Sequence, residues 1–409
     1  MKGVLNLTLG VMTAIGGFVD IGNIVTGGVT GARFGMTLAW AVVLATAIMV
    51  LYGEMTGRVA AVAQRATFDL VRERLGVRFA MVNLVANLLL ALLTLAAEIG
   101  GVALVLQLVT GVQYLIWVPV VGAVVWLSIW RLPFKVIETA FGLLGLCLLV
   151  FAVALVALPT DWGELWHEMI HPAVPQGEAL PTWLFYAISL VGACIVPYQV
   201  IFFSSGGREE RWSIRNLREA RGNAFVGFPL GGLLSLSVMA VMVPVLRPDS
   251  VDVKHLGQVA LPVAQALGVI GLILTFISFF ACTFAAAAES ALSCGYSVGQ
   301  YLGWSWGKWH RPSSAPRFHV VSLAAVIIAT GFVLTTIDPI TVTIVSVVLG
   351  AAAVPLTYLP VLVVANDREY MGEYVNKHWQ NGLATIALLV MLVVSVATLP
   401  LLFATKAGQ

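Results

Sequence analysis

Apolar residues along this chain gather into long runs divided by short polar segments. Runs of about 20 residues or more, the length that crosses a bilayer as a helix, recur near 4–28, 34–57, 79–109, 112–130, 134–158, 182–204, 223–246, 260–300, 318–336, 339–365 and 381–404. They predict an all-α polytopic membrane protein with about eleven transmembrane helices. The first run lacks a cleavage-site pattern and is too long for the apolar core of a signal peptide, so it is expected to be retained.

Two of the runs are interrupted. In the first, Asp20 is the only charge between Val4 and Gly28, and Gly16, Gly17 and Gly22 bracket it. Glycine lowers helix propensity and permits unusual backbone angles, so the segment can unwind there and turn peptide carbonyls toward a cation. In the sixth, Gly192 precedes Pro197 in mid-membrane. Proline removes a backbone hydrogen bond and clashes with the preceding turn, so this helix must open. Interrupted spans at positions one and six are corresponding members of two five-helix halves. That is the pointer to an inverted-repeat transporter whose site lies between two broken helices at the midplane. The expected organisation is a first half over 1–158, an external loop over 159–180, a second half over 181–365, and a connection with the eleventh helix over 366–409. The halves share no detectable sequence identity.

Composition removes the soluble alternatives. With 60% hydrophobic and 10% charged residues, and a mean hydropathy of +0.96, the chain is far too apolar for a soluble fold of this length. The longest loops, around 161–181 and 206–222, leave no room for a soluble domain, so one membrane domain is expected. The inner one, RWSIRNLREARGN, has the charge mixture of an interfacial helix and the outer one, acidic, could line an entrance, but a solvated face is the expected account of both. A net charge of +2 gives no reason to expect nucleic acid. The distribution of charge sets a topology: with the N-terminus inside, eighteen of the 22 Lys and Arg fall in inside segments. Only Arg33, Arg247, Lys254 and Lys406 fall outside, which supports eleven spans and an external C-terminus. The expected location is the cytoplasmic (inner) membrane of a bacterium, with the chain as a monomer. Cys147, Cys194, Cys282 and Cys294 lie in apolar runs without metal-ligand spacing and read as small core residues.

The interior of the membrane retains Asp20, Glu98 and Glu289, with Glu54 and Glu138 nearer the ends of their spans and no Lys, Arg or His beside them. A carboxylate at such depth costs roughly 3 kcal/mol, and its default reading is a functional site. Without a basic partner the acids must be protonated or hold a cation. The oxygens available beside the two breaks are the Asp20 carboxylate, the Asn23 amide, and carbonyls freed near Gly17 and Ala193. Hard donors of this kind suit Mg²⁺ or Mn²⁺ as a transported ion, with no cofactor. The plainer alternative is a glycine-weakened helix whose Asp only bonds a neighbour.

DIGN in the first span, GACIVPYQ in the sixth and the late run DREYMGEYVN resemble the NRAMP family of divalent-metal transporters. YGEMTGRVAAVAQRATFDLV, AAEIGG, SALSCGYSVGQYLG and PLTYLP extend the resemblance over most of the chain. It implies a LeuT-like fold of eleven or twelve helices, a 5+5 inverted repeat, and a metal held between helices 1 and 6. The departures are as informative. Ile21 replaces the proline of the family's DPGN, while Asp20 and Asn23 are kept. The family's MPH in helix 6 is Val196, Pro197, Tyr198, followed by Gln199 as a further candidate lining residue. Loss of the soft thioether at Val196 leaves room for retained water and turns the expectation toward Mg²⁺. The resemblance also implies that a proton relay is gone. Leu95 stands at an Asp position three residues before Glu98, Tyr198 at a His position, and helix 9 lacks a buried Arg. This pattern resembles the NRAMP-related magnesium transporters, taken to carry Mg²⁺ and Mn²⁺ without proton coupling. A site glutamine of helix 10 is replaced by Ser346. Glu289 stands where the family has an apolar or small residue; it is either an additional site carboxylate or a protonated acid bonded to a neighbouring backbone. Glu98 divides the same way.

Two other classes remain open. His167, Glu168 and His171 form HEMIH, which matches the zinc-protease pattern HExxH, with Glu164 as a third ligand. An amino-acid or organic-cation carrier of the same fold is the other, although such carriers bind a substrate carboxylate on exposed helix-1 amides, where this chain has an acid and an amide.

Overall fold

The structure is a computed structural model and describes residues 17–249, 251, 253–335 and 338–405. Inside a bilayer no water is available to backbone groups, so each spanning segment must satisfy its own. The regular elements of the described residues are accordingly helical. In chain order they are α1 (Ile21–Phe34), α2 (Ala39–Val62), α3 (Thr67–Thr110), α4 (Tyr114–Arg131), α5 (Phe134–Gly145) continued through a 3₁₀ turn into α6 (Leu149–Ala157), and the short α7 (Trp162–Ile170). The second half holds α8 (Leu180–Cys194), α9 (Pro197–Glu209), α10 (Leu217–Met242), α11 (Leu261–Leu302), α12 (Pro316–Val333), α13 (Pro339–Ala365) and α14 (His378–Ala404).

Ten helical segments among the described residues are long and apolar enough to cross a membrane. They correspond to the second through eleventh predicted runs. The first run enters the description only at Gly17; Gly16 and the residues before it lie outside the described residues. Two helices exceed the predicted runs. α3 has 44 residues, and at 1.5 Å per residue it would extend about 66 Å, twice the hydrocarbon core. Gly76, at φ 80°, divides it, a backbone angle that residues with a Cβ rarely adopt. Gly268, at φ 60°, divides α11 in the same way.

Each of the first four spans packs against the span five places later: α1 on α8, α2 on α10, α3 on α11 and α4 on α12. Two interlocked five-helix halves require this arrangement. Small residues allow the closest approaches, because van der Waals packing rather than hydrophobic burial holds helices together in lipid. At Gly31 a Cβ would stand 2.1 Å from the Met239 carbonyl oxygen of α10, and at Gly53 2.2 Å from the Phe228 ring.

The polar ends bear on the sequence reading in three places. The inner loop forms no separate interfacial helix. After a short 3₁₀ turn at Ile214–Asn216 its charges continue directly into α10, where Ala220 and Ala224 are buried and leave Arg221 outward. Arg58, expected beyond the membrane edge, is buried within α2, 3.1 Å from Glu54, and its guanidinium also donates to the Tyr374 carbonyl and Asn376. The 161–181 loop is largely exposed, as a solvated face should be, but it is also tied down. Asp161 caps α7 by accepting from the Gly163 and Glu164 N–H groups at 2.9 and 3.0 Å. Glu168 then accepts from the Met36 N–H at 2.9 Å and from Arg247 at 2.6 Å. Glu178 pairs with Arg33 at 2.6 Å. The loop is thus strapped across the C-terminal ends of α1 and α10 and the N-terminal end of α2.

Gly31→Ala is expected to destabilise the protein by about 1–3 kcal/mol, because the opposing atom is backbone and cannot rotate away. Gly331→Ala, whose Cβ would meet nothing within 4 Å, should leave thermal unfolding in detergent unchanged or slightly raised. Equal melting temperatures for wild type and Gly31→Ala would refute the close α1–α10 contact.

Candidate ion-binding site

The site begins at the start of α1. Asp20 has extended backbone angles (φ −89°, ψ −175°) and is the N-cap of the helix. Its Oδ1 accepts from the Asn23 N–H at 2.8 Å, while its carbonyl accepts from Ile24 at 3.0 Å. A second carboxylate serves the same terminus: Ile21 N–H donates toward Glu98 of α3, 3.3 and 3.4 Å from its two oxygens. A helix N-terminus leaves backbone N–H groups unpaired and carries partial positive charge. Two buried acids satisfy it here. Ile21 occupies the position where the family resemblance expects proline, and proline has no N–H to offer Glu98. Gly22 is needed because α13 crosses directly over it; a Cβ would lie 2.8 Å from Val347.

The sixth span opens where its sequence requires. α8 stops at Cys194, α9 starts at Pro197, and Ile195 (φ −117°, ψ 76°) and Val196 (φ −91°, ψ 132°) between them are non-helical. Pro197 occupies the first helical position, where a missing N–H costs nothing. For the same reason it cannot pair with the Ala193 carbonyl four residues back. Asn23 joins the two breaks: its Nδ2 donates to the Cys194 Sγ at 3.1 Å, and its Oδ1 is buried with no hydrogen-bond partner.

Asp20, Gly22, Thr94, Glu98, Val196 and Ser346 are among the residues that enclose a cavity of about 10 Å³, room for roughly one water molecule. The Thr94 and Ser346 hydroxyls lie 2.9 Å apart across it. No basic side chain lines it, and the Asp20 and Glu98 carboxyls share its wall. Like charges in a low-dielectric interior demand a cation or protons. Among the described residues no three His, Cys, Asp or Glu side chains converge as a metal cluster, so an ion here would depend on amide, hydroxyl and carbonyl oxygens in addition to carboxylate.

Of the residues singled out in the sequence, the structure brings Asp20, Glu98, Val196 and Ser346 onto the cavity wall, with Asn23 beside them. Gly17 is buried in the segment leading to Asp20. Tyr198, Gln199 and Glu289 are buried but do not line the cavity; Gln199 keeps both amide atoms, and Glu289 both carboxylate oxygens, without a hydrogen-bond partner. Sequence reasoning missed Thr94, four residues before Glu98 and therefore on its face of the helix. It also took Cys194 for core filling, although Cys194 follows Ala193 at the break. His319 of α12 is a buried basic residue that the reading passed over; both ring nitrogens lack partners. The HEMIH segment is a surface helix whose His167 and His171 rings stack at 4.6 Å. Its Glu168 accepts from Arg247 and from the Met36 N–H, and no group of three His, Cys, Asp or Glu among the described residues is placed to hold a zinc ion there.

Residues 10–400 match the family model described as natural resistance-associated macrophage protein-like. The divalent metal cation transporter MntH of Pectobacterium carotovorum is 26% identical, covering 96% of this chain and 92% of its own. That of Acidiphilium cryptum is 23% identical, over 87% and 81%. Among solved structures, a mutant of the Eremococcus coleocola manganese transporter aligns with a TM-score of 0.74 at 18% identity, covering all of this chain and 89% of that one. Mhp1, a nucleobase-cation-symport-1 family transporter, aligns with a TM-score of 0.61 at 15% identity over 98% and 91%. The two structures show the LeuT-like fold, and the named relatives are transporters rather than enzymes. With the family model matched over all but the two ends of the chain, the protein belongs to the Nramp family.

Proposed function

We propose that the protein carries divalent metal ions, Mg²⁺ and Mn²⁺, across the membrane by alternating access and without proton coupling. The observation that carries this reading is the buried Asp20 carboxylate beside the unpartnered Asn23 Oδ1, at two helix ends that the Asn23–Cys194 hydrogen bond joins. The names of the relatives, divalent metal cation and manganese transporters, support the substrate class. Val196, which presents only hydrocarbon to the cavity, supports a hard, partly hydrated ion over a thiophilic one. Three features support the absence of coupling. Leu95 is fully buried and apolar. Tyr198 is a poor proton acceptor at neutral pH. Glu98 is engaged with the Ile21 N–H, an anchoring role. Transport would then be electrogenic, driven by the ion gradient and a membrane potential worth about 2.3 kcal/mol per charge per 100 mV.

One observation favours a second reading, a proton-coupled Mn²⁺ or Fe²⁺ symporter. Glu289 is fully buried with both oxygens unpartnered, the condition of an acid that gains and loses a proton.

Asp20→Ala and Asn23→Ala should each reduce Mn²⁺ and Mg²⁺ uptake into proteoliposomes about ten- to a hundredfold, the loss expected when one charged or polar ligand is removed. Wild-type flux in a folded Asp20→Ala protein would exclude the site. Mg²⁺ should compete with Mn²⁺ at comparable concentrations, and Val196→Met should shift preference toward Mn²⁺ or Cd²⁺. Mn²⁺ uptake indifferent to a large excess of Mg²⁺ speaks against a shared site.

Vesicles loaded with a pH dye should show no metal-dependent acidification. Glu98→Gln, which keeps an acceptor for Ile21, should transport normally, whereas Glu98→Ala should lose about 1–3 kcal/mol of stability through an orphaned N–H. Acidification that vanishes in Glu289→Gln establishes the symporter instead.

A further inference from the structure

A groove of about 1100 Å³ lies between α2, α10 and α14, dwarfing the ion cavity and sharing no residue with it. On α10 it extends from Arg221 to Leu236, on α2 from Arg58 back to Val43, and on α14 from Lys377 to Val390. These stretches hold 14 to 16 residues and cover about 20–22 Å, which equals half the hydrocarbon core plus one headgroup region. The groove is therefore one leaflet deep. Its floor is set by the close approach of α2 and α10, where a Cβ on Gly232 would stand 2.3 Å from the Thr46 hydroxyl. Its apolar walls face outward, with Leu233 63% and Ile386 60% exposed.

Only one end is charged. Arg58, Arg221 and Lys377 meet Glu54 and Glu373 there, leaving an excess of one positive charge. Glu54 is engaged by both arginines, Arg58 at 3.1 Å and Arg221 at 3.0 Å, so it does not neutralise Lys377, which is exposed and in no ion pair among the described residues. Trp379, 61% exposed, stands two residues from it, and tryptophan at a membrane protein's edge favours the headgroup level.

We propose that this groove is a binding site for an anionic glycerophospholipid, its acyl chains along α2, α10 and α14 and its phosphate on Arg221 and Lys377. A leaflet-deep apolar channel ending in a basic mouth matches that chemistry at both ends. It also lies on the basic face, which the charge distribution assigns to the cytoplasmic leaflet. The site is independent of the ion carried.

Native mass spectrometry of the full-length protein in detergent, titrated with palmitoyl-oleoyl phosphatidylglycerol or phosphatidylcholine, tests it. The glycerol lipid should bind more tightly, and Arg221→Gln and Lys377→Gln should each reduce that preference about fivefold. Leu233→Trp, which fills the groove, should weaken both lipids while leaving the charges in place. Melting temperatures report on folding: phosphatidylglycerol should raise that of wild type but not that of the double Gln variant, measured against each protein without lipid. Equal binding of the two lipids, a preference unchanged by the double variant, or lipid-free dimers that form through this face each overturn the proposal.

Discussion

Everything at the centre of this protein depends on how the N-terminus of α1 is satisfied. The first turn of α1 is buried in the bundle, so its N–H groups lie where water cannot reach them, and each orphan would cost as much as a lost hydrogen bond. Asp20 takes the Asn23 N–H from within the chain and Glu98 takes that of Ile21 from across the bundle. The helix dipole in turn favours their negative charge. Break, carboxylates and α1–α3 contact therefore stand or fall together. The second break is joined to the first by the Asn23–Cys194 bond, which leaves the amide oxygen free as an acceptor.

Much of this was legible in the sequence because the causes are local. A proline with a glycine before it opens a helix wherever it sits, and a lone acid among glycines and apolar residues has few uses. The helix start at Asp20 and the break at Ile195–Val196 followed from that, as did the second to eleventh spans from the lengths of the apolar runs. What was not legible depends on the register between distant helices. That Glu98 faces the Ile21 N–H is decided by the packing of α3 on α1, and no spacing within either segment announces it. Replacement of proline by Ile21 was visible as a departure, but its consequence, a new donor, appeared only once the acceptor was in place. Arg58 was misplaced for the opposite reason. Its charge signalled the membrane edge, while Glu54, one turn earlier, and the polar atoms of the segment after α13 let it be buried.

The two levels of packing divide the work. Glycine-mediated contacts such as Gly31 on Met239 hold α1 and α10 rigidly, with backbone against backbone. At the outer end the same helices are held by side-chain ion pairs that are partly exposed. Pairs of that kind contribute about 0–1 kcal/mol each. Conformational change is therefore expected at the polar rim before it reaches the glycine contacts.

The outer strap has one more consequence. Glu168 and Glu178 are carried on the segment that covalently joins the two halves, so the strap cannot diffuse away when its ion pairs break. Closing it again is an intramolecular event at high effective concentration. Weak individual pairs on such a tether break and re-form readily, and the tether rather than the strength of any one bond sets how soon the loop docks again.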